Sequence, residues 1–340
     1  MDRNKWRHSL IVLVCGFVFF AVAQVAAAQA PSFGLVPYSV EKDETLTRLE
    51  YSLEAGQSET SAVVVTNPGD EEAYLRLFAT DARTSSQGGV SFPDSTEPVS
   101  ATGGWISLSA SEFALQPQEQ RVIPFTISVP PDARAGEHRA AILLELANLD
   151  TSRPADFPEG QIYVAVRFRK ALNVRVMLPG PVAVDFEIVS VEHVFEGGQS
   201  TFQVELRNRG NISTDVAGGK LDVRDASGEV IGTLPIKMNG KFLAGDTVLY
   251  PVRFDEPLPE GRYTAAVTVD YGGDEPATWE STFEVAREAA QNAEEEAIER
   301  GFKLPPRRAR EEPDYWMYVT AGLVLVLPIG GVYVYSRRRR

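Results

Sequence analysis

The mature chain offers few residues able to do chemistry. Histidines, the usual proton carriers and metal ligands, number three in 340 residues. One, His8, precedes an apolar leader; the others, His138 and His193, lie 55 positions apart, each inside an alternating apolar run, with no ligand or general base at motif spacing. Metal and triad chemistry are therefore not expected. Asp222, Asp225, Ser227 and Glu229 surround Gly228 like a loose calcium loop, but their spacing fits no cation motif, and a solvated hairpin is the simpler reading. Nucleotide fingerprints are missing, and the one cysteine, Cys15, sits within the leader. The sequence predicts a protein that is not an enzyme and carries no cofactor.

What remains is recognition. Trp105 follows a loop rich in Gly, Ser and Pro that includes Gly103 and Gly104, and an aromatic ring in such a place can stack on a sugar or polymer. Trp105 also opens the strand-like run Trp105-Ile-Ser-Leu108, where the same ring points into a core. Tyr74, on an alternating strand, joins Trp105, Gly103 and Gly104 as a candidate binding residue.

The elements that would position these residues read as all-β. From Phe33 to Val285 short alternating runs are broken by Gly, Pro, Asn and Asp, with no long helical periodicity. An internal repeat divides them. Glu54-Ala-Gly-Gln-Ser58 leads to Asn67-Pro-Gly69, as Glu196-Gly-Gly-Gln-Ser200 leads to Asn208-Arg-Gly210. Leu115-Gln-Pro-Gln-Glu119 then runs to Pro124, as Leu243-Ala-Gly-Asp-Thr247 runs to Pro251. Two tandem immunoglobulin-like β-sandwiches follow, at 31–179 and 180–286, meeting at Pro179-Gly-Pro181. The first is about 14 residues longer between its Asn and its Pro, an excess that falls around 85–104. Pro124 and Pro251 are expected at sheet edges or bulges, since proline cannot donate to a ladder. Runs at 162–166 and 172–178 read as strands closing the first sandwich.

The ends specify location. Arg3, Lys5 and Arg7 precede the apolar run 10–25, and Ala28-Gln-Ala30 is a small-x-small cleavage site, so 1–30 reads as a signal peptide. A processed chain would then hold no disulfide. At the other end, 315–336 is long enough for the roughly 30 Å of a bilayer core. It carries Tyr and Trp at both borders and is stopped by Arg337, Arg338, Arg339 and Arg340 on the cytoplasmic side. An Ala/Glu helix and a Pro-rich stretch at 287–314 read as a stalk. The expected place is the cell membrane, single-pass, with the ectodomain outside and the lipid bilayer held through the C-terminal helix. A formal net charge of −14 disfavours nucleic acid as a partner.

The chain resembles the WxL-interacting proteins of bacterial surfaces. The likeness rests on Phe33-Gly-Leu-Val-Pro37, Leu53-Glu-Ala-Gly-Gln57, Val63-Val-Val-Thr-Asn67, Asp81-Ala82, Trp105-Ile106, Leu115-Gln-Pro-Gln-Glu119 and Val129-Pro-Pro131 with Gly136, together with the overall layout. That resemblance implies peptidoglycan binding by the first sandwich, with cell-wall polymer or a wall-associated protein as partner. The alternatives are a pilus-chaperone-like or surface-assembly module that binds partners by strand addition, and a passive display spacer.

Overall fold

The computed structural model describes residues 32–148, 164–238 and 240–302. The expected signal peptide, the Pro-rich part of the stalk and the expected membrane span lie outside these residues. Among the described residues no helix is long and apolar enough to cross a membrane.

Among the described residues the architecture is all-β with one α-helix. The first sandwich holds β1 (Gly34–Ser39), β2 (Glu44–Thr45), β3 (Leu49–Ser52), β4 (Ser58–Thr66), β5 (Ala73–Asp81), β6 (Arg83–Thr84), β7 (Val90–Ser91), β8 (Ile106–Leu108), β9 (Glu112–Leu115), β10 (Gln120–Ser128), β11 (Gly136–Leu146) and β12 (Arg169–Leu178). One sheet runs β2-β1-β4-β10-β8 and the facing sheet β3-β12-β11-β5-β9, with β6 and β7 forming a separate hairpin. Period-two alternation places Val63, Val65, Ile123, Phe125 and Ile127 of one sheet against Leu75, Leu77, Ile142, Leu144, Val174 and Val176 of the other, all buried.

The second sandwich holds β13 (Phe186–Glu196), β14 (Gln199–Asn208), β15 (Thr214–Asp215), β16 (Gly218–Arg224), β17 (Val230–Ile236), β18 (Lys241–Phe242), β19 (Thr247–Phe254), β20 (Gly261–Asp270) and β21 (Ala277–Val285). Its sheets run β13-β14-β19 and β17-β16-β20-β21, and β15 pairs with β18. Phe202, Val204, Leu221, Val267 and Phe242 fill a separate core.

The repeat survives at the level of ladder register. Pro124 stands opposite Ala62, five residues before Asn67, and Pro251 stands opposite Gln203, five residues before Asn208. Both asparagines are buried and do the same work. Asn67 Nδ2 donates to the carbonyls of Glu71, Leu115 and Gln116 while Oδ1 accepts from Gly69 N–H. Asn208 Nδ2 donates to Ile212 and Phe242, and Oδ1 accepts from Gly210 N–H. Leu115 therefore corresponds to Phe242, one residue earlier than the spacing of the two Leu-containing motifs suggests. Pro251 lies on an edge strand. Pro124 lies just past the stretch of β10 that β8 covers, and its carbonyl, on the β8 side, accepts from Ser109 N–H.

Helix α1 (Arg287–Glu299) is docked on the second sandwich. Ala290, Ala293 and Ala297, on one face, are buried, and a Cβ on Gly198 would lie 2.4 Å from the Ala297 nitrogen. The helical half of the expected stalk thus lies against the β13–β14 turn, where Gly198 has φ +77.

Candidate functional site

The loop expected to carry recognition is anchored throughout. Asp81, at the end of β5, is buried, and its carboxylate accepts from the backbone N–H groups of Ser100, Ala101 and Gly103. Gly103 is buried so close to β5 that a Cβ would stand 2.5 Å from the Thr80 carbonyl carbon. Gly104 is exposed. The 3-10 turn Thr102–Trp105 delivers Trp105 to the rim of the first core, half-buried, with its ring centroid 4.6 Å from that of His138. Tyr74 is 44% exposed on the outer face of the second sheet, its hydroxyl 3.5 Å from Glu112. Six residues of strand separate Tyr74 from Thr80, about 20 Å, so the candidate residues do not converge.

Further along the same loop a second buried carboxylate holds on. Glu145 of β11 is 1% exposed and takes Arg169 at 3.0 Å, Arg76 at 3.4 Å and Ser95 Oγ at 3.2 Å. Asp94 of the loop also pairs with Arg167 and Arg169. Such a network rigidifies because each charge is compensated.

The inserted segment also reaches the second sandwich. Thr84 of β6 donates its N–H and hydroxyl to Asp246 Oδ2 at 2.6 and 2.7 Å, and its oxygen accepts from Leu243 N–H at 2.8 Å. Burial pushes the Asp246 carboxyl up, against the pull of Thr84 and of Arg83. A second latch lies near the junction. Glu137 N–H donates to the Asn211 carbonyl at 2.7 Å, Glu137 Oε2 accepts from Ser213 N–H at 2.8 Å, and Oε1 takes Arg139 and Arg175. Although burial opposes it, the hydrogen bonds from Ser213 and the two guanidiniums hold the Glu137 carboxyl below its ordinary value. Asn211 Nδ2 closes the latch on the carbonyls of Ala135 and Pro181.

The remaining candidates are structural. His193 stacks on Phe283 at 5.0 Å and meets Ser200 Oγ at 2.9 Å; burial lowers its pKa to about 4. Ser200 Oγ also accepts from Leu258 N–H. Asp225 caps Ser227 and Glu229 within the β16–β17 hairpin. Among the described residues no group of three or more His, Cys, Asp or Glu is placed to hold a metal.

Among the described residues, one flank of β12 is only partly laddered. All of β12 pairs with β11 on one side, but on its other side β3 covers only Val174–Met177. β1 passes beside β12, yet its ladders go to β2 and β4. Among the described residues, Arg169–Asn173 thus keep unladdered backbone groups on one flank. Ahead of them the chain continues through Val164, Val166 and Phe168, which are 72%, 58% and 47% exposed and alternate with Ala165 and Arg167. In the second sandwich the corresponding strand, β21, lies beside β13 and β17 beside β19, likewise without a ladder between them. The sequence reads 162–166 and 172–178 as closing strands; the structure has one, β12, at Arg169–Leu178, with 164–166 outside any strand and 162–163 outside the described residues. The bare flank was not legible, because it depends on where β3 stops.

No family model matches the chain, and no curated protein does. Among solved structures, the class 5 fimbriae chaperone CfaA is 14% identical, covering 75% of this chain and 100% of its own, at a TM-score of 0.32. The YadV chaperone is 10% identical over 74% and 99%, with a TM-score of 0.31. The Salmonella enterica SafA pilin–SafB chaperone complex matches at 14% identity over 74% and 98%, with a TM-score of 0.30. TM-scores of this size do not establish a common fold.

Proposed function

We propose that this chain is a non-enzymatic, membrane-anchored envelope protein whose first sandwich binds an extended segment of a partner protein by strand addition. The observation that supports this is the bare flank of β12 with the exposed row Val164, Val166 and Phe168 leading into it. An added strand satisfies free N–H and C=O groups on Arg169–Asn173 and buries apolar side chains that now face water. The leader and the basic-flanked apolar tail would put this edge outside the cell, held to the bilayer by one helix. Polymer stacking on Trp105 draws less support, since its ring is occupied by His138 and the core and its loop is tied to Asp81, Glu145 and Asp246.

The test is a paired substitution in the full chain. Val166→Asp with Phe168→Asp leaves the ladders intact, because both positions precede β12 and are exposed. Loss of a partner that the wild type retains, with unchanged thermal stability, is the expected outcome. Retention of that partner by the double variant, or retention of purified peptidoglycan alone by the wild type, contradicts the reading.

A further inference from the structure

The bare flank of β12 also has a charge. In a chain with 47 acidic and 33 basic residues, the stretch from Gln161 to Val184 contains Arg167, Arg169, Lys170 and Arg175 and no acid. Not all of that charge is free. Arg167 and Arg169 are engaged by Glu145 and Asp94, and Arg175 by Glu137. Lys170 is different. It is exposed, lies in the same alternating row as Val164, Val166, Phe168 and Leu172, and has no ion pair or side-chain hydrogen bond among the described residues. At the other end of the bare stretch, one residue ahead of β3, Arg48 is 72% exposed and held only by Glu50 at 3.6 Å. An unpaired ammonium and a loosely held guanidinium thus flank the groups that an added strand would use.

Resting on the strand-addition reading, we infer that the incoming segment is acidic as well as apolar: hydrophobic residues at alternate positions, with a carboxylate in reach of Lys170. Self-pairing of two copies through this edge is disfavoured by the same charges, which antiparallel pairing brings back against themselves. An acidic strand instead gains a charge-assisted contact at its centre and is steered toward a stretch that carries four basic residues and no acid.

The experiment uses the full chain and three end-blocked heptapeptides in which valine alternates with aspartate, asparagine or lysine. At low salt the aspartate peptide is expected to bind about tenfold or more tighter than the asparagine peptide, and the gap should close near 1 M salt. Lys170→Glu should remove the preference for aspartate and favour the lysine peptide. Equal binding of the aspartate and asparagine peptides to the wild type overturns the charge preference while leaving strand addition standing, provided Phe168→Asp still abolishes binding. Failure of all three peptides to bind overturns both.

Discussion

At the scale of single residues, the clearest test of the core is His193. Its imidazole is hydrogen-bonded to Ser200 and stacked on Phe283, and burial lowers its pKa from 6.5 to about 4. A histidine whose folded pKa lies below its unfolded one binds protons more readily when unfolded. Its contribution is present above about pH 6.5 and is lost as pH falls toward 4. Urea midpoints measured between pH 7 and pH 4.5 should fall, and His193→Phe should flatten that dependence; an unchanged slope in the variant contradicts the assignment. The equivalent glycines make a second test. Gly56 and Gly198 share positive φ, +82 and +77, but a Cβ on Gly56 finds its nearest neighbour at 3.9 Å whereas one on Gly198 strikes the Ala297 backbone. Gly56→Ala should cost about 1 kcal/mol from backbone strain alone. Gly198→Ala should cost more and expose α1 to protease, because the helix has to move. Equal losses for the two variants would show that α1 is not seated on this turn.

Elements explain what the residues are for. The extra length of the first sandwich, read from the sequence as a recognition loop, spends its polar groups on Asp81, Glu145 and Asp246 and so serves as a strap within the first sandwich and a clamp onto the second. Thr84→Val keeps the backbone N–H donor to half-buried Asp246 but removes the hydroxyl that donates to it and accepts from Leu243 N–H, and should cost about 1–3 kcal/mol, with the two sandwiches melting in separate steps. Asp246→Asn keeps an acceptor and removes a half-buried charge, so it should be neutral or stabilising at pH 7, as the raised carboxyl pKa implies. A Thr84→Val protein that still melts in one transition at the wild-type midpoint rules the clamp out. The duplication itself was legible, since Asn67 and Asn208 with Pro124 and Pro251 mark turn chemistry that works through neighbours in sequence. The clamp was not, because Thr84 and Asp246 are 162 positions apart and each reads alone as an ordinary turn residue. Trp105 shows the same limit: spacing places it at the mouth of a strand, but only packing seats its ring against His138.

For the whole molecule, the two latches and the docked helix make the described residues a fixed support, with Thr84–Asp246 and Glu137–Asn211 joining the sandwiches and α1 held under the second. A fixed support matters for strand addition, because a rigid edge offers its ladder groups without first being ordered. Among the described residues, Arg169–Asn173 have their ladder to β11 on one flank and none on the other. Amide hydrogen exchange on the full chain, with and without its bound partner segment, reads that edge directly. Strand addition predicts slowed exchange confined to 164–173, with β17 and the Trp105 loop unchanged. Slowing at 100–108 with no change at 164–173 would contradict it and return recognition to the loop of Trp105.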